Sequence, residues 1–226
     1  DALPPLADLT ARDRGVLRRM WSTGLNSPWC SSMGRLFDGV AALLGLRQRV
    51  AFEGQAAMAL EFAADASIRD GYALPVHERP AAAAGSSRRS AGHEGGSKRA
   101  ETTPAPAVAP APVPDAPGIL ELDWAPLVDG VVADARRGVG ASVISARFHN
   151  ALATAAADVA LRLGAARVAL TGGCFQNRLL AVRVEEALAR LGIRVLIHRQ
   201  VPPNDGGLAL GQAAIARAAW RRGTEG

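Results

Sequence analysis

Lysine is almost missing from this chain. Lys98 is the only one in 226 residues, so arginine carries nearly all the positive charge. The sequence pI is 10.4, although the formal net charge is only +5. That charge is spread along the chain and gathers in no basic block, and no arginine-aromatic cluster offers itself to RNA. A solvated arginine-rich exterior is therefore expected in preference to a nucleic-acid surface. Cysteine is scarce too. Cys30 and Cys174 form no CxxC pair and have no zinc-site spacing, and two lone thiols fit a reducing cytoplasm. The four histidines, His77, His93, His149 and His198, lie far apart. No apolar run approaches the length of a membrane span, and no signal peptide is expected at the start. Asp1 stands where a start methionine would, and residues 1–26 read as the middle of something, so a piece of a longer protein is expected.

What is present suffices for one domain with a real core, at an ordinary apolar content of 49%. The most informative stretch runs from Arg167 to Gln212. Val168-Ala169-Leu170 is a short apolar run that ends in Thr171-Gly172-Gly173. A helical pattern follows Asn177, with Leu179, Leu180, Val184, Leu188 and Leu191 on one side, and Gly192 stops it. Ile193 to Ile197 reads as a second buried strand, 202–207 as a polar loop, and Leu208 to Trp220 as another helix. Strand, glycine turn, helix, strand, loop, helix is the grammar of a parallel α/β sheet. Both polar loops should open on the carboxyl edge of the strands, where such sheets collect ligands. Gly172 and Gly173 leave backbone bare before a helix N-terminus, which suits a phosphate. A Gly-Gly pair also fits a plain tight turn, and on its own it favours that reading.

Earlier in the chain, Leu9 to Trp21 and Met33 to Leu44 have helical spacing, with Gly24 and Gly45 as stops. Val50 to Phe52 reads as extended, Glu53-Gly54 as a turn, and Gln55 to Ile68 as an amphipathic helix with Met58, Leu60 and Phe62 as core candidates. Asp38, beside Leu36 and Phe37, fits a carboxylate on the solvated side of its helix. Residues 75–118 are low-complexity and hold eight of the fourteen prolines. They are expected to be a disordered insertion, with polyproline II in the Ala-Pro part. His77 and His93, in and beside this tract, lack a fixed geometry for metal. Order resumes with a strand in 118–123, a helix to Arg137 and a long helix from Ala141 to Leu163. His149 on the latter reads as a packed or hydrogen-bonded structural histidine, and Cys174 as a small buried residue.

Four phrases add specificity. SSMGRLFDGVAALLGL (from Ser31), FEGQAAMALE (from Phe52), TGGCFQN (from Thr171) and PPNDGGLALGQ (from Pro202) closely resemble, in the same order, the carboxyl-terminal part of the HypF family. These are the carbamoyltransferases of nickel–iron hydrogenase maturation, and the resemblance covers most of residues 27–74 and 119–221. It implies an α/β chain with an actin/Hsp70-like (ribonuclease H-like) ATPase-fold lobe. The expected parts are a helical part at 1–74, the disordered insertion at 75–118 and an α/β lobe at 119–226, with the amino-terminal lobe missing.

The resemblance also implies chemistry. Upstream HypF domains would make carbamoyl-adenylate from carbamoyl phosphate and ATP. This region would pass the carbamoyl group to the carboxyl-terminal cysteine of a partner, HypE, in the cytoplasm. Carried over residue by residue, Asp38 meets the ribose, Gly54 lets backbone approach the nucleotide, and Glu53 belongs to the same turn. Gly172 and Gly173 form the turn at the phosphates, Asn177 contacts the nucleotide, and Asp205 is a ligand of a divalent zinc or iron ion in the full-length protein. No catalytic side chain is assigned, because the acceptor thiol belongs to the partner. One departure matters: the family's histidine ligands sit in an HxxxH-type motif, and none occurs here. A single carboxylate is too few ligands for a tight metal site. Two alternatives stay open. One is a TsaD-type tRNA threonylcarbamoyl transferase relative. The other is a non-catalytic nucleotide-binding or partner-docking remnant of a split gene.

Overall fold

In the amino-terminal region two helices begin with side-chain caps. In the computed structural model, which describes residues 3–7, 9–28, 30–79 and 118–224, α1 is a single turn, Pro4–Ala7. Helix α2 covers Ala11–Thr23. The Thr10 hydroxyl accepts from the Asp13 amide at 3.1 Å, and the Asp13 carboxylate accepts from the Thr10 amide at 3.0 Å. This reciprocal box satisfies amides that the first turn leaves without partners. Ser32 caps α3, Met33–Leu43, in the simpler one-way manner. Helix α4, Gln55–Ala63, starts at Gly54, whose φ of +80° favours glycine.

Two sequence expectations fail around α4. Val50 to Phe52 forms no strand. The Gln55 carboxamide oxygen accepts from the Ala51 amide at 2.8 Å and folds this backbone into a bend. The helix ends at Ala63 and does not reach Ile68, because the Asp65 carboxylate accepts from both the Ser67 amide and its hydroxyl, making a local turn that competes with the helix. Ala56 and Leu60 form the buried stripe of α4, while Met58 and Phe62 lie outside it, Phe62 at 77% exposure. Met58 and Phe62 are therefore not core residues.

The chain divides into two units, Val76–Leu122 and the remainder. In the smaller unit, β1 (Val76–Arg79) pairs antiparallel with β2 (Ile119–Leu122), Val76 opposite Leu122. Residues 76–79 were expected to be disordered and are instead a strand. The rest of the expected insertion, 80–117 with His93, lies outside the described residues.

In the larger unit, α5 (Ala125–Arg136) and α6 (Ala141–Arg162) lead to β3 (Arg167–Leu170), α7 (Arg178–Arg190), β4 (Arg194–Ile197) and α8 (Leu208–Thr224). Strands β3 and β4 pair in parallel, Arg167 beside Arg194 and Leu170 beside Ile197, as the α/β grammar required. Helix α6 supplies the centre of the core. Its Phe148 meets Phe37 of α3 edge-on, with ring centroids 4.8 Å apart, and burying each such ring contributes about 1.5–3 kcal/mol.

One ion network ties α5 to α6. The carboxylate of Asp134 is buried, and it accepts from the Tyr72 hydroxyl at 2.7 Å, from Arg147 at 2.8 Å and from Arg137. Burial alone would raise its pKa, but these three donors outweigh burial and hold it below the usual carboxylate value. Arg147 reaches Asp70 as well, at 2.8 Å.

Helix α8 is different. Every side chain described in it is exposed, including Leu208, Leu210, Ile215 and Trp220. Leu196 and Ile197 of β4 are also exposed, whereas parallel sheets are ordinarily covered on both faces.

Candidate functional site

Parallel pairing places the chain after Leu170 and the chain after Ile197 at one edge of the sheet. The two loops join there. The Gly172 amide donates to the Pro203 carbonyl at 2.6 Å, and the Thr171 hydroxyl reaches the same oxygen at 3.5 Å. Gly172 has φ +97°, where side chains other than glycine are strained, and a Cβ at Gly172 or Gly173 would meet open space. The glycine turn is therefore bare towards solvent, as the sequence led us to expect. A short 3-10 turn, Gly173–Gln176, follows it before α7 begins.

The start of α7 corrects the phosphate expectation. Its first amides are already taken. The Glu61 carboxylate, from the end of α4, accepts from the Arg178 amide at 2.7 Å and from the Leu179 amide at 3.2 Å. The Asn177 side-chain oxygen accepts from the Leu180 amide at 2.8 Å. An anion attracted by the helix dipole finds Glu61 in that seat, and the Gly172 amide ahead of it is given to Pro203, so the expectation narrows to the backbone around Gly173.

Asn177 is buried and its carboxamide is engaged at both ends. The Nδ2 group lies 2.8 Å from His149 Nε2, and His149 Nδ1 lies 2.7 Å from the Ser145 carbonyl. A carbonyl only accepts, so Nδ1 carries the proton. Nε2 is then the acceptor, matched by the Asn177 N–H. Burial lowers the pKa of His149 and favours this neutral ring. The Ser145 hydroxyl donates to the Leu60 carbonyl at 2.5 Å. The contacts close a circuit from α4 through α6 to the start of α7 and back through Glu61. The structural reading of His149 thus holds, with the partner now named. Glu61 and the His149–Asn177 pair were missed from sequence. Only the Asn before a helical run was a visible signal, and it marked a cap.

The other expected site residues are placed as follows. Asp38 lies on α3, half-buried and paired with Arg35 at 2.8 Å, on a helix that packs against the 173–176 turn. Gly54 and Glu53 sit at the start of α4, about 10 Å along that helix from Glu61. Asp205 is exposed and opens a second 3-10 turn, Asp205–Gly207, where the Asn204 side chain accepts from the Gly206 amide at 3.1 Å. Asp205 shares the loop of Pro203, so the structure brings it into the same pair of tied loops as Gly172 and Gly173. Among the described residues, no three His, Cys, Asp or Glu side chains converge on a point, and Asp205 alone does not fit a metal. Cys174, expected as a small buried residue, is half-buried against the core, and burial raises its pKa. Among the described residues no helix is long and apolar enough to cross a membrane.

The family of the carbamoyltransferase Kae1-like domain, second subdomain, matches residues 2–212. The carbamoyltransferase HypF of Synechocystis sp. is 34% identical over 197 residues, covering 87% of this chain and 20% of that protein. HypF2 of Cupriavidus necator is 38% identical over 204 residues, covering 89% and 24%. A crystal structure of full-length HypF in a phosphate- and nucleotide-bound form is similar at a TM-score of 0.72 and 30% identity, over 95% of this chain and 24% of that one. The chain thus spans about a fifth to a quarter of the length of these relatives. With nearly its whole length matched in both sequence and fold, this chain belongs to the HypF carbamoyltransferase family and corresponds to the carboxyl-terminal part of such a protein.

Proposed function

We propose that this chain is the carbamoyl-transferring part of a HypF protein. It holds carbamoyl-adenylate and delivers the carbamoyl group to the carboxyl-terminal cysteine of HypE, a cytoplasmic step of nickel–iron hydrogenase maturation. The observation that carries this reading is the pair of loops at the carboxyl edge of β3 and β4, tied by the Gly172–Pro203 hydrogen bond, in a chain matched to this family over residues 2–212.

In the transfer, the partner's thiolate attacks the carbamoyl carbon. An S–C bond forms, the C–O bond to the adenylate phosphate breaks, and the electron pair leaves with AMP. What a protein contributes to such a step is positioning and stabilisation of charge. In this reading the bare backbone of Gly172 and Gly173 faces the phosphate, Asp38 the ribose, and Gly54 with Glu53 the adenosine side. Asn177 shapes the turn between them. A divalent zinc or iron ion, if bound, would polarise the carbamoyl carbonyl. Asp205 is the ligand this chain would offer, with the rest supplied from outside the described residues. The lobe is of the actin/Hsp70-like kind, and the remaining HypF domains cover the apolar side chains of α8 and β4.

The test uses the native protein with 14C-labelled carbamoyl phosphate, ATP and HypE. Label should appear on HypE with wild-type protein. It should fall by about 100-fold with Asp205→Ala or Gly172→Val, at unchanged far-ultraviolet circular dichroism. Unlabelled HypE in the wild-type reaction sinks the reading.

A further inference from the structure

His149 is a costly residue to bury where it stands. It lies on α6, fully buried and facing the start of α7, edge-on to Phe37 and Phe148 at centroid distances of 5.5 and 5.6 Å. A phenylalanine or leucine would fill that space without desolvating two ring nitrogens. Both nitrogens have partners, and the two partners differ in kind. Nδ1 faces a carbonyl of its own helix, 2.7 Å away, which orients the ring. Nε2 faces the Asn177 carboxamide at 2.8 Å, across to the neighbouring element. That contact decides which way round the Asn177 carboxamide sits. With Nδ2 held by the imidazole, Oδ1 points at the Leu180 amide at 2.8 Å. Asn177 is the residue at which the 3-10 turn after Gly172 ends and α7 begins, its own amide donating to the Cys174 carbonyl at 3.2 Å.

We propose that His149 is a positioning residue, which fixes the orientation of Asn177 through its Nε2 and thereby sets the shape of the Gly172–Asn177 turn that faces the substrate anion. The substrate part of this statement rests on the function proposed above; the positioning part does not. The imidazole acts as a neutral acceptor and takes no part in proton transfer. Its role is that of an outer support, which holds a backbone turn to the tolerance that binding requires.

Three measurements on the native protein test it. The first needs no variant. With 15N-labelled histidine, long-range proton–nitrogen correlation should show His149 as the tautomer protonated at Nδ1, with Nε2 bare. A proton on Nε2 overturns the proposal, because the ring could not then accept from Asn177. The second is amide hydrogen exchange in His149→Leu and His149→Gln. The Leu180 and Asn177 amides should exchange about tenfold faster in the leucine variant, and the glutamine variant, which restores a side-chain acceptor, should return towards wild type. Equal protection in wild type and His149→Leu overturns it. The third is titration with ATP, which should bind about tenfold more weakly to His149→Leu and within about threefold of wild type to His149→Gln. If wild-type protein binds no ATP while the first two results hold, the nucleotide reading fails and the positioning role stands. If ATP binds His149→Leu as tightly as wild type, the turn does not depend on His149, and the proposal fails.

Discussion

The carboxylate of Glu61 closes the amino end of α7, 2.7 Å from the Arg178 amide and 3.2 Å from that of Leu179. Because Glu61 lies on α4 and the amides on α7, a capping interaction becomes a tertiary one. Glu61→Ala should cost about 1–2 kcal/mol, the range for losing a helix cap with a favourable dipole contact. Glu61→Gln should keep part of it, since the amide oxygen still accepts while the charge is gone. Urea denaturation of the three proteins measures this. No change in midpoint for Glu61→Ala would mean that the contact contributes nothing in solution.

Gly130 offers a test of sign. Alanine normally stabilises a helix over glycine by about 1 kcal/mol. At this position in α5 an added Cβ would lie 2.6 Å from the Tyr72 ring, whose hydroxyl is pinned to Asp134. Gly130→Ala should therefore destabilise by about 1–3 kcal/mol. In a Tyr72→Ala background the same substitution should stabilise. Thermal melts of the four proteins decide, and a stabilising single Gly130→Ala would show that the ring moves aside freely.

The Asp134 carboxylate has Tyr72, Arg137 and Arg147 as donors while almost wholly buried. Replacing it by Ala leaves the Tyr72 phenol and one nitrogen of the half-buried Arg147 guanidinium without an acceptor, while Arg147 keeps Asp70. The expected cost is about 3 kcal/mol, read as a drop in chemical-denaturation midpoint. Asp134→Asn, which keeps an acceptor oxygen, should lose less.

His149 should make stability depend on pH. Burial lowers its pKa below the ordinary value of 6.5, so the unfolded chain takes up a proton that the folded chain refuses. The unfolded state then binds more protons, and stability falls as pH drops below about 6.5. His149→Gln should remove that share of the slope between about pH 6.5 and 5. If the two proteins lose stability in parallel across this range, the buried imidazole does not oppose protonation.

Local rules were readable wherever chemistry and spacing act within a few residues. The Gly24 stop, the β3–α7–β4–α8 alternation and the pairing of the two polar loops on one edge could all be inferred from neighbouring residues. The placement of Asp205 and the glycine turn in the two joined loops was legible because glycines and a carboxylate in loops stand out. Contacts between distant elements did not show. Nothing near Glu61 announces that its carboxylate meets an amide 117 residues away. Nothing near His149 names Asn177 as its partner, and the helical period alone could not separate the buried face of α4 from the one bearing Phe62. Strand β1 was hidden by its proline-rich neighbours, because its four residues gain order only by pairing with β2. The recognisable phrases, by contrast, gave the family directly, since they record residue choices and not periodicity.

The bond between Gly172 and Pro203 runs from one backbone to another. No change of side chain at either position deletes its donor or its acceptor, and only proline at position 172 would remove the N–H. The joint therefore tolerates changes at Pro203 and in the loop residues around it, whereas at Gly172, with φ +97°, a side chain would strain the backbone that carries the donor.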